Sequence, residues 1–320
     1  MARPLLIALG SINADFQVRT DEAVEPGRTM LAKSFSRLGG GKAANRAFLA
    51  RHLGHGARLI GQVGRDDLAA QALAPLEAAG LDLAHVVRRD GVPTAVSMIM
   101  VPPDGKKTIV LAANANDDWS DDGVEAALRA IAEAPTGSIL SVDCEVPVDL
   151  VRRALRAAAD ADLRAILDPS PADRVDDALL DGLLSVTPNP KEAGGILDRR
   201  VESEEDAVEA AIALRGKGVE SPCVKMEDGG CVLVHGNEIS RIAPLKTEPV
   251  DTTGAGDAFA GGLCAALLDG RDMGEAAAFA VASSSLAVRG LGSQEAYADR
   301  AAIEAALPDV IAGMRRVRRL

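Results

Sequence analysis

The sequence is poor in aromatic rings. Phe, Tyr and Trp make up 2% of its 320 residues, with one Trp and one Tyr. A protein that stacks single-stranded nucleic acid on aromatic platforms has little to build with here. Histidine is also scarce: His52, His55, His85 and His235 fall at no metal-ligating spacing, which argues against a zinc site. The four cysteines, Cys144, Cys223, Cys231 and Cys264, form no Cys-x-x-Cys pair and sit in apolar stretches, the setting of buried free thiols. No apolar run approaches a membrane span. The run Pro4–Leu9 is too short for a signal-peptide core and reads as a first strand, so a cytoplasmic protein is expected. Basic charge is short as well. The net charge of −12 is a poor background for a nucleic-acid or anionic-membrane surface. The one basic cluster, Arg315-Arg316-Val317-Arg318-Arg319, reads as a solvated helix end whose cations suit the dipole.

What is present describes an ordinary soluble globule, 48% hydrophobic and 26% charged, with a core of Ala, Leu, Val and Ile. Short apolar runs alternate with helical patterns. Strands are predicted at 4–9, 57–63, 97–101, 108–111, 138–142, 164–167, 184–187, 222–226 and 231–235. Helices are predicted at 43–53, 66–79, 121–133, 148–159, 204–216, 256–268, 273–288 and 300–314. This alternation predicts an α/β fold, a doubly wound and mostly parallel sheet with helices on both faces. Ligands of such sheets bind beyond the strands' carboxyl ends. Two segments, about 16–38 and 92–111, lack helical period and are rich in Val, Thr, Met and Ile. They contain the turns Glu25-Pro26-Gly27 and Pro103-Asp104-Gly105. They are expected to form a small β-sheet lid inserted in a single domain spanning 1–320.

The sharpest motif is Asp251-Thr252-Thr253-Gly254-Ala255-Gly256-Asp257, running straight into a helical pattern. Its glycines allow close backbone approach, and the helix start directs free N–H groups and a positive dipole end at the same point. That is a place for phosphate. Asp257 in the first turn could take a proton from an attacking hydroxyl; read blandly, it is a common helix-start acid. A second cluster, Gly39-Gly40-Gly41-Lys42-Ala43-Ala44-Asn45, fails the nucleotide P-loop pattern, because Ser36 stands at its first Gly and Ala43 at its Ser/Thr. It is better read as a loop whose amides, Lys42 and Asn45 grasp a polar substrate, or as a plain Gly-rich turn. After the first strand, Asn13 and Asp15 stand two apart and face one side. They would suit vicinal sugar hydroxyls, although an Asx turn is the alternative.

Together, and in this order, the two signatures Gly40–Asn45 and Asp251–Asp257 resemble the ribokinase/phosphofructokinase-B family of carbohydrate kinases over essentially the whole chain. The resemblance implies an ATP-dependent kinase with Asp257 as general base, helped by Gly254, Ala255 and Gly256. The acceptor would be a primary hydroxyl of a pentose, with ribose the best guess. A ketohexose, sugar acid or nucleoside is the alternative, and a non-catalytic sugar-binding homologue a remoter one. The resemblance implies sugar contacts at Asn13, Asp15, Gly41, Lys42, Asn45, Glu145 and Asp257. It implies ATP contacts at Asn189, Lys225, Asp228, Gly230 and Gly256. Glu192, in the Asn189-Pro190-Lys191-Glu192 element, would order Mg2+ through water. Backbone carbonyls of Asp251, Thr253, Ala287, Gly290, Gly292 and Ala296 would hold K+. The same resemblance implies a homodimer joined through the lid, with partners limited to sugar and ATP: no nucleic acid and no membrane. Glu227 departs from the family's usual Gly and brings an anion near the expected polyphosphate, unless it points away or pairs with Lys225.

Overall fold

A computed structural model describes residues 3–320 except 24, 26 and 104–106. Part of each turn named above, Pro26 and Asp104-Gly105, therefore lies outside the described residues. The strands are β1 (Leu5–Leu9), β2 (Asn13–Arg19), β3 (Ser34–Gly40), β4 (Gly56–Gly64), β5 (Val86–Arg89), β6 (Ala95–Val101) and β7 (Thr108–Ala112), followed by β8 (Ile139–Asp143), β9 (Arg164–Asp168), β10 (Ser185–Val186), β11 (Cys223–Lys225), β12 (Cys231–His235), β13 (Glu238–Ile242) and β14 (Met314–Arg319). The helices are α1 (Lys42–His52), α2 (Asp67–Ala78), α3 (Asp121–Ala132), α4 (Val148–Asp160) and α5 (Asp177–Leu180), then α6 (Pro190–Leu197), α7 (Glu204–Gly216), α8 (Ala255–Leu268), α9 (Met273–Ala287) and α10 (Arg300–Ala312).

Six strands form a parallel sheet in the order β10-β9-β8-β1-β4-β5. Successive side chains of β1 point to opposite faces, and both sets are buried. Leu6 and Ala8 join a core with α1, α2, α8, α9 and α10, whereas Ile7 and Leu9 join one with α3, α4 and α7. A strand buried on both faces is the mark of a doubly wound sheet. The antiparallel set β11-β12-β13-β14 extends it: Ser221 N donates to Leu184 O (2.9 Å) and Lys225 N to Pro188 O (2.8 Å), carrying the ladder across the β10/β11 join.

Scarcity of large side chains lets helices approach closely. A Cβ on Gly262 of α8 would lie 2.9 Å from Ser283 Cβ of α9, and one on Gly261 would lie 3.0 Å from Leu49 Cδ2 of α1. Helices α1 and α8 thus pack side by side with both N-termini at the carboxyl end of the sheet.

A side sheet, β3-β2-β6-β7, stands apart from this body. Strand β2 is antiparallel to β3 and parallel to β6, and β6 is antiparallel to β7. Its register puts Phe16, Met98 and Val110 in one row of the outer face and Gln17, Ile99 and Ile109 in one row of the inner face. Ile99 thus points inward and is buried.

The basic run 315–319 is also corrected. It does not end a helix: α10 stops at Ala312, and the arginines lie on edge strand β14, paired with β13. A register irregularity between Arg316 and Arg318 lets both Arg315 and Arg318 meet acids of α7, Glu204 and Glu209, while Arg316 meets Glu238 of β13. No helix among the described residues is long and apolar enough to cross a membrane.

Candidate active site

A cavity of about 420 Å³ opens between the carboxyl end of the main sheet and the inner face of the side sheet. Its walls gather Asn13, Asp15, Gly41, Lys42, Asn45, Glu145, Asn189, Glu192, Lys225, Thr253, Gly254, Gly256 and Asp257. These residues come from segments spread over most of the chain. Asn13 and Asp15 lie on β2 of the side sheet, Glu145 follows β8, Asn189 and Glu192 follow β10, Lys225 ends β11, and the others lie at or just before the starts of α1 and α8, so strand ends and helix starts converge on one cavity.

Glycine makes the two loops possible. Gly41 caps α1 at φ 95°, and a Cβ there would lie 2.5 Å from Ser11 O. Gly254 caps α8 at φ 74°, again in the left-handed region that side chains disfavour. Two helix N-termini therefore meet at one cavity.

Asp257, in the first turn of α8, is buried. Asn45 Nδ2 donates to its Oδ2 (2.7 Å). The Asn45 Oδ1 accepts from Gln294 Nε2 (2.9 Å) and Ser293 Oγ (3.4 Å), so this amide is fixed in orientation and holds the carboxylate. Lys42 Nζ lies 4.0 Å from Asp257 Oδ1 and 3.5 Å from Asp168 Oδ1. Burial opposes the Lys42 charge, but Asp168, Asp257, Glu145 and Glu192 outweigh it and hold its pKa well above the ordinary value. For Asp168, burial is likewise outweighed, by Lys42, Lys225 and Arg46, and its pKa is lowered.

On the opposite wall, burial raises the Asp15 pKa from 3.8 to about 7, against a hydrogen bond with Ser97. Asn13 Nδ2 donates to Ser97 Oγ (3.1 Å), and its Oδ1 accepts from Asn116 Nδ2 (2.8 Å). Burial also raises Glu145. Gly40 is required beside Asp15, since a Cβ would collide with that carboxylate.

The Asn189/Glu192 element proves to be a capping box on α6. Asn189 Oδ1 accepts from Glu192 N and Glu192 Oε2 from Asn189 N, both at 2.8 Å. Lys225 Nζ lies 3.4 Å from where a Cβ on Gly256 would sit, so its ammonium abuts the Gly254–Gly256 loop.

Other expected residues fall elsewhere. Asp228 pairs with Arg241 and lines a separate cavity of about 310 Å³ with Glu227. Glu227 is exposed there and does not pair with Lys225. Gly230 packs against Arg241, and Ala255 contributes to the start of α8 rather than to the cavity wall. Asp251, Gly290, Gly292, Ala287 and Ala296 form a neighbouring loop cluster. Asp251 Oδ2 accepts from Gly292 N (3.1 Å), Gly290 N donates to Ala287 O (3.3 Å), and Gly290 packs on Ala296.

Several residues were missed in the sequence. Arg46, fully buried behind the site, donates to Asp143 Oδ2 (2.7 Å), and Asp143 also accepts from the amides of Ser11 (3.3 Å) and Glu145 (3.1 Å). The pair ties the Asn13 loop to the Glu145 loop. Gln17 Nε2 donates to Asp251 Oδ2 (2.6 Å), and Lys107 Nζ to Thr252 O (3.0 Å). Both reach from the side sheet to the Asp251–Asp257 segment. A polar residue at every second position of an apolar strand was the available signal for Gln17; Lys107 carried none beyond its charge.

Comparison with known proteins agrees with this geometry. The pfkB family carbohydrate kinase model matches residues 3–300. The chain is 30% identical to ribokinase of Haemophilus influenzae over 93% of its length and 96% of the relative. It is 25% identical to deoxyribokinase of Salmonella typhi over 91% and 95%. The solved structure of Arabidopsis thaliana ribokinase complexed with ribose and ATP superposes with a TM-score of 0.82 at 28% identity, covering 96% of this chain and 99% of that one. The fold is thus shared with enzymes of known type, and the chain belongs to the pfkB family of carbohydrate kinases as an ATP-dependent sugar kinase.

Proposed function

We propose that the chain is a cytoplasmic ribokinase, moving the terminal phosphoryl group of ATP to a primary hydroxyl of a pentose, ribose first among them. The observation that carries this reading is the placement of Asp257. Its carboxylate is oriented by Asn45 at the start of α8, and the cavity it lines also holds Asn13 and Asp15. Asp257 accepts the hydroxyl proton as the new P–O bond forms and the bond to ADP breaks. Free N–H groups of residues 254–257 stabilise the developing charge.

Lys225 and Asn189 would hold the nucleotide phosphates. Glu192 would orient magnesium through water, and the ion, carried with ATP, would supply neutralisation of phosphate charge. Among the described residues no group of three acidic, His or Cys side chains could hold a metal alone; a nucleotide-borne, water-coordinated ion needs none. The Asp251 carboxylate already accepts from Gln17, Gly292 N and Thr253 N. Potassium would therefore rest on backbone carbonyls of the 251–253 and 287–296 segments, which suit a hard cation. Turnover in potassium should exceed that in a bulky organic cation at equal ionic strength.

The side sheet serves as the lid. Phe16 and Phe35 stack on each other at 6.0 Å on its outer face. They offer no slot for a base, which disfavours a nucleoside. Exposed Phe35, Met98 and Val110 support a homodimer joined through that face. Light scattering showing a fully active monomer would remove this part.

A panel of sugars and nucleosides assayed by coupled ADP release tests the acceptor. Ribose is expected to give the highest kcat/KM. A clear preference for deoxyribose or a ketohexose would overturn the assignment.

A further inference from the structure

Three lysines face the cavity: Lys42, Lys107 and Lys225. Lys42 has carboxylates at 3.5 and 4.0 Å. Among the described residues Lys107 forms no ion pair, and its one hydrogen bond is to the carbonyl of Thr252 (3.0 Å). Burial lowers its pKa, against the attraction of Asp257 and Asp251. An ammonium taken out of water without a paired anion is costly, and a site that keeps one is poised for an anion that arrives with a ligand.

Its position says which anion. Lys107 immediately precedes β7 and shares a face with Ile109 and Leu111, which also line the cavity. It reaches the loop at Thr252, two residues before the Gly254–Gly256 turn. Nearby Gln17, in register with Ile99 and Ile109, holds Asp251 (2.6 Å). The side sheet is therefore tied to the phosphate loop at two points, and the tie at Lys107 is the charged one.

We propose that Lys107 is a phosphoryl-binding residue carried by the side sheet. With both substrates bound, its ammonium leaves Thr252 O and pairs with anionic oxygens of the group in transfer. Lys107 forms no covalent bond and moves no proton; the hydroxyl proton still goes to Asp257. Because the charge rides on the side sheet, neutralisation of the phosphoryl group is complete only when that sheet covers the site. This rests on the kinase reading above.

The test compares Lys107→Met, which keeps the stem and removes the charge, with Lys107→Arg. Lys107→Met should lose about 10²-fold or more in kcat, the usual cost of one donor to a developing anion, with sugar KM within about threefold of wild type. Lys107→Arg should recover at least a tenth of wild-type kcat. A Lys107→Met kcat within about threefold of wild type, or a loss confined to sugar KM, would overturn the proposal. Calorimetric titration of tripolyphosphate in the presence of sugar needs no turnover. It should show at least about tenfold weaker binding to Lys107→Met, and equal affinity would also overturn the proposal. If wild type phosphorylates no sugar while tripolyphosphate binding still depends on Lys107, the kinase reading fails and the clamp stands.

Discussion

Two four-stranded sheets are appended to the same parallel core, and they are finished in opposite ways. In the C-terminal one, β12 and β13 are buried on both faces, contributing Leu233 and Ile242 to one core and Val232, Val234 and Ile239 to the other. Its edge β14 carries an arginine run paired with Glu204, Glu209 and Glu238, a charged guard against further strand addition. In the side sheet, one face is turned to the cavity and mixes Asn13, Asp15, Ser97 and Lys107 with Ile99, Ile109 and Leu111, and the other is apolar and uncovered, with Phe35 58%, Met98 52% and Val110 60% exposed. Its edge β7 is exposed along its whole length. The first sheet is sealed as part of the core. The second is not sealed in this way: one face borders the cavity and the other is uncovered.

The comparison predicts that ligand affinity follows the side sheet and stability the C-terminal one. Asp257 belongs to neither. Asp257→Asn should cut kcat by roughly 10²–10⁴-fold while leaving sugar affinity and the melting temperature near wild type; retention of a tenth of kcat would refute its role as base. Leu233→Ala, in the sealed sheet, should cost about 2–5 kcal/mol in urea unfolding with sugar KM unchanged. A matching rise in KM would break the division.

Asp15, on the side sheet, should reveal itself through pH. Its pKa is raised by burial to about 7. Between about pH 4 and 7 the folded chain keeps a proton that the unfolded chain has released. Its contribution therefore makes stability fall as pH rises through that window and level off above it. Asp15→Asn should flatten this decline, as measured by the difference in unfolding free energy between the two proteins. If sugar hydroxyls need the carboxylate as acceptor, sugar KM should be about tenfold higher at pH 6 than at pH 8, and the variant should lose that dependence. The smallest effect belongs to the guard strand. Arg315→Ala should lower Tm by about 2 °C or less and leave kinetics untouched, since exposed ion pairs contribute little.

Much of this was legible in the chain. Strand–helix alternation gave the doubly wound sheet, because period 2 and period 3.6 are local patterns that survive without neighbours. Some elements escaped: β5 and α5, four residues each, are too brief to show a period, and α6 is announced only by its Asn189–Glu192 cap. The arginine run was misread because its partners lie elsewhere. Arg315 meets Glu204 111 positions away, so the cue that made it a strand was not in the run itself.

The sequence by itself determined the two glycine loops, the carboxylate Asp257 after one of them and the paired Asn13 and Asp15. Glycine spacing at a helix start restricts the backbone whatever surrounds it. Only the tertiary structure decided how these parts serve one another. It locked Asn45 onto Asp257 across 212 residues, buried Arg46 against Asp143, turned Glu227 away from Lys225 and brought Lys107 to Thr252. Such pairings rest on distance and desolvation, which depend on how helices and sheets pack and leave no mark on residues adjacent in the chain.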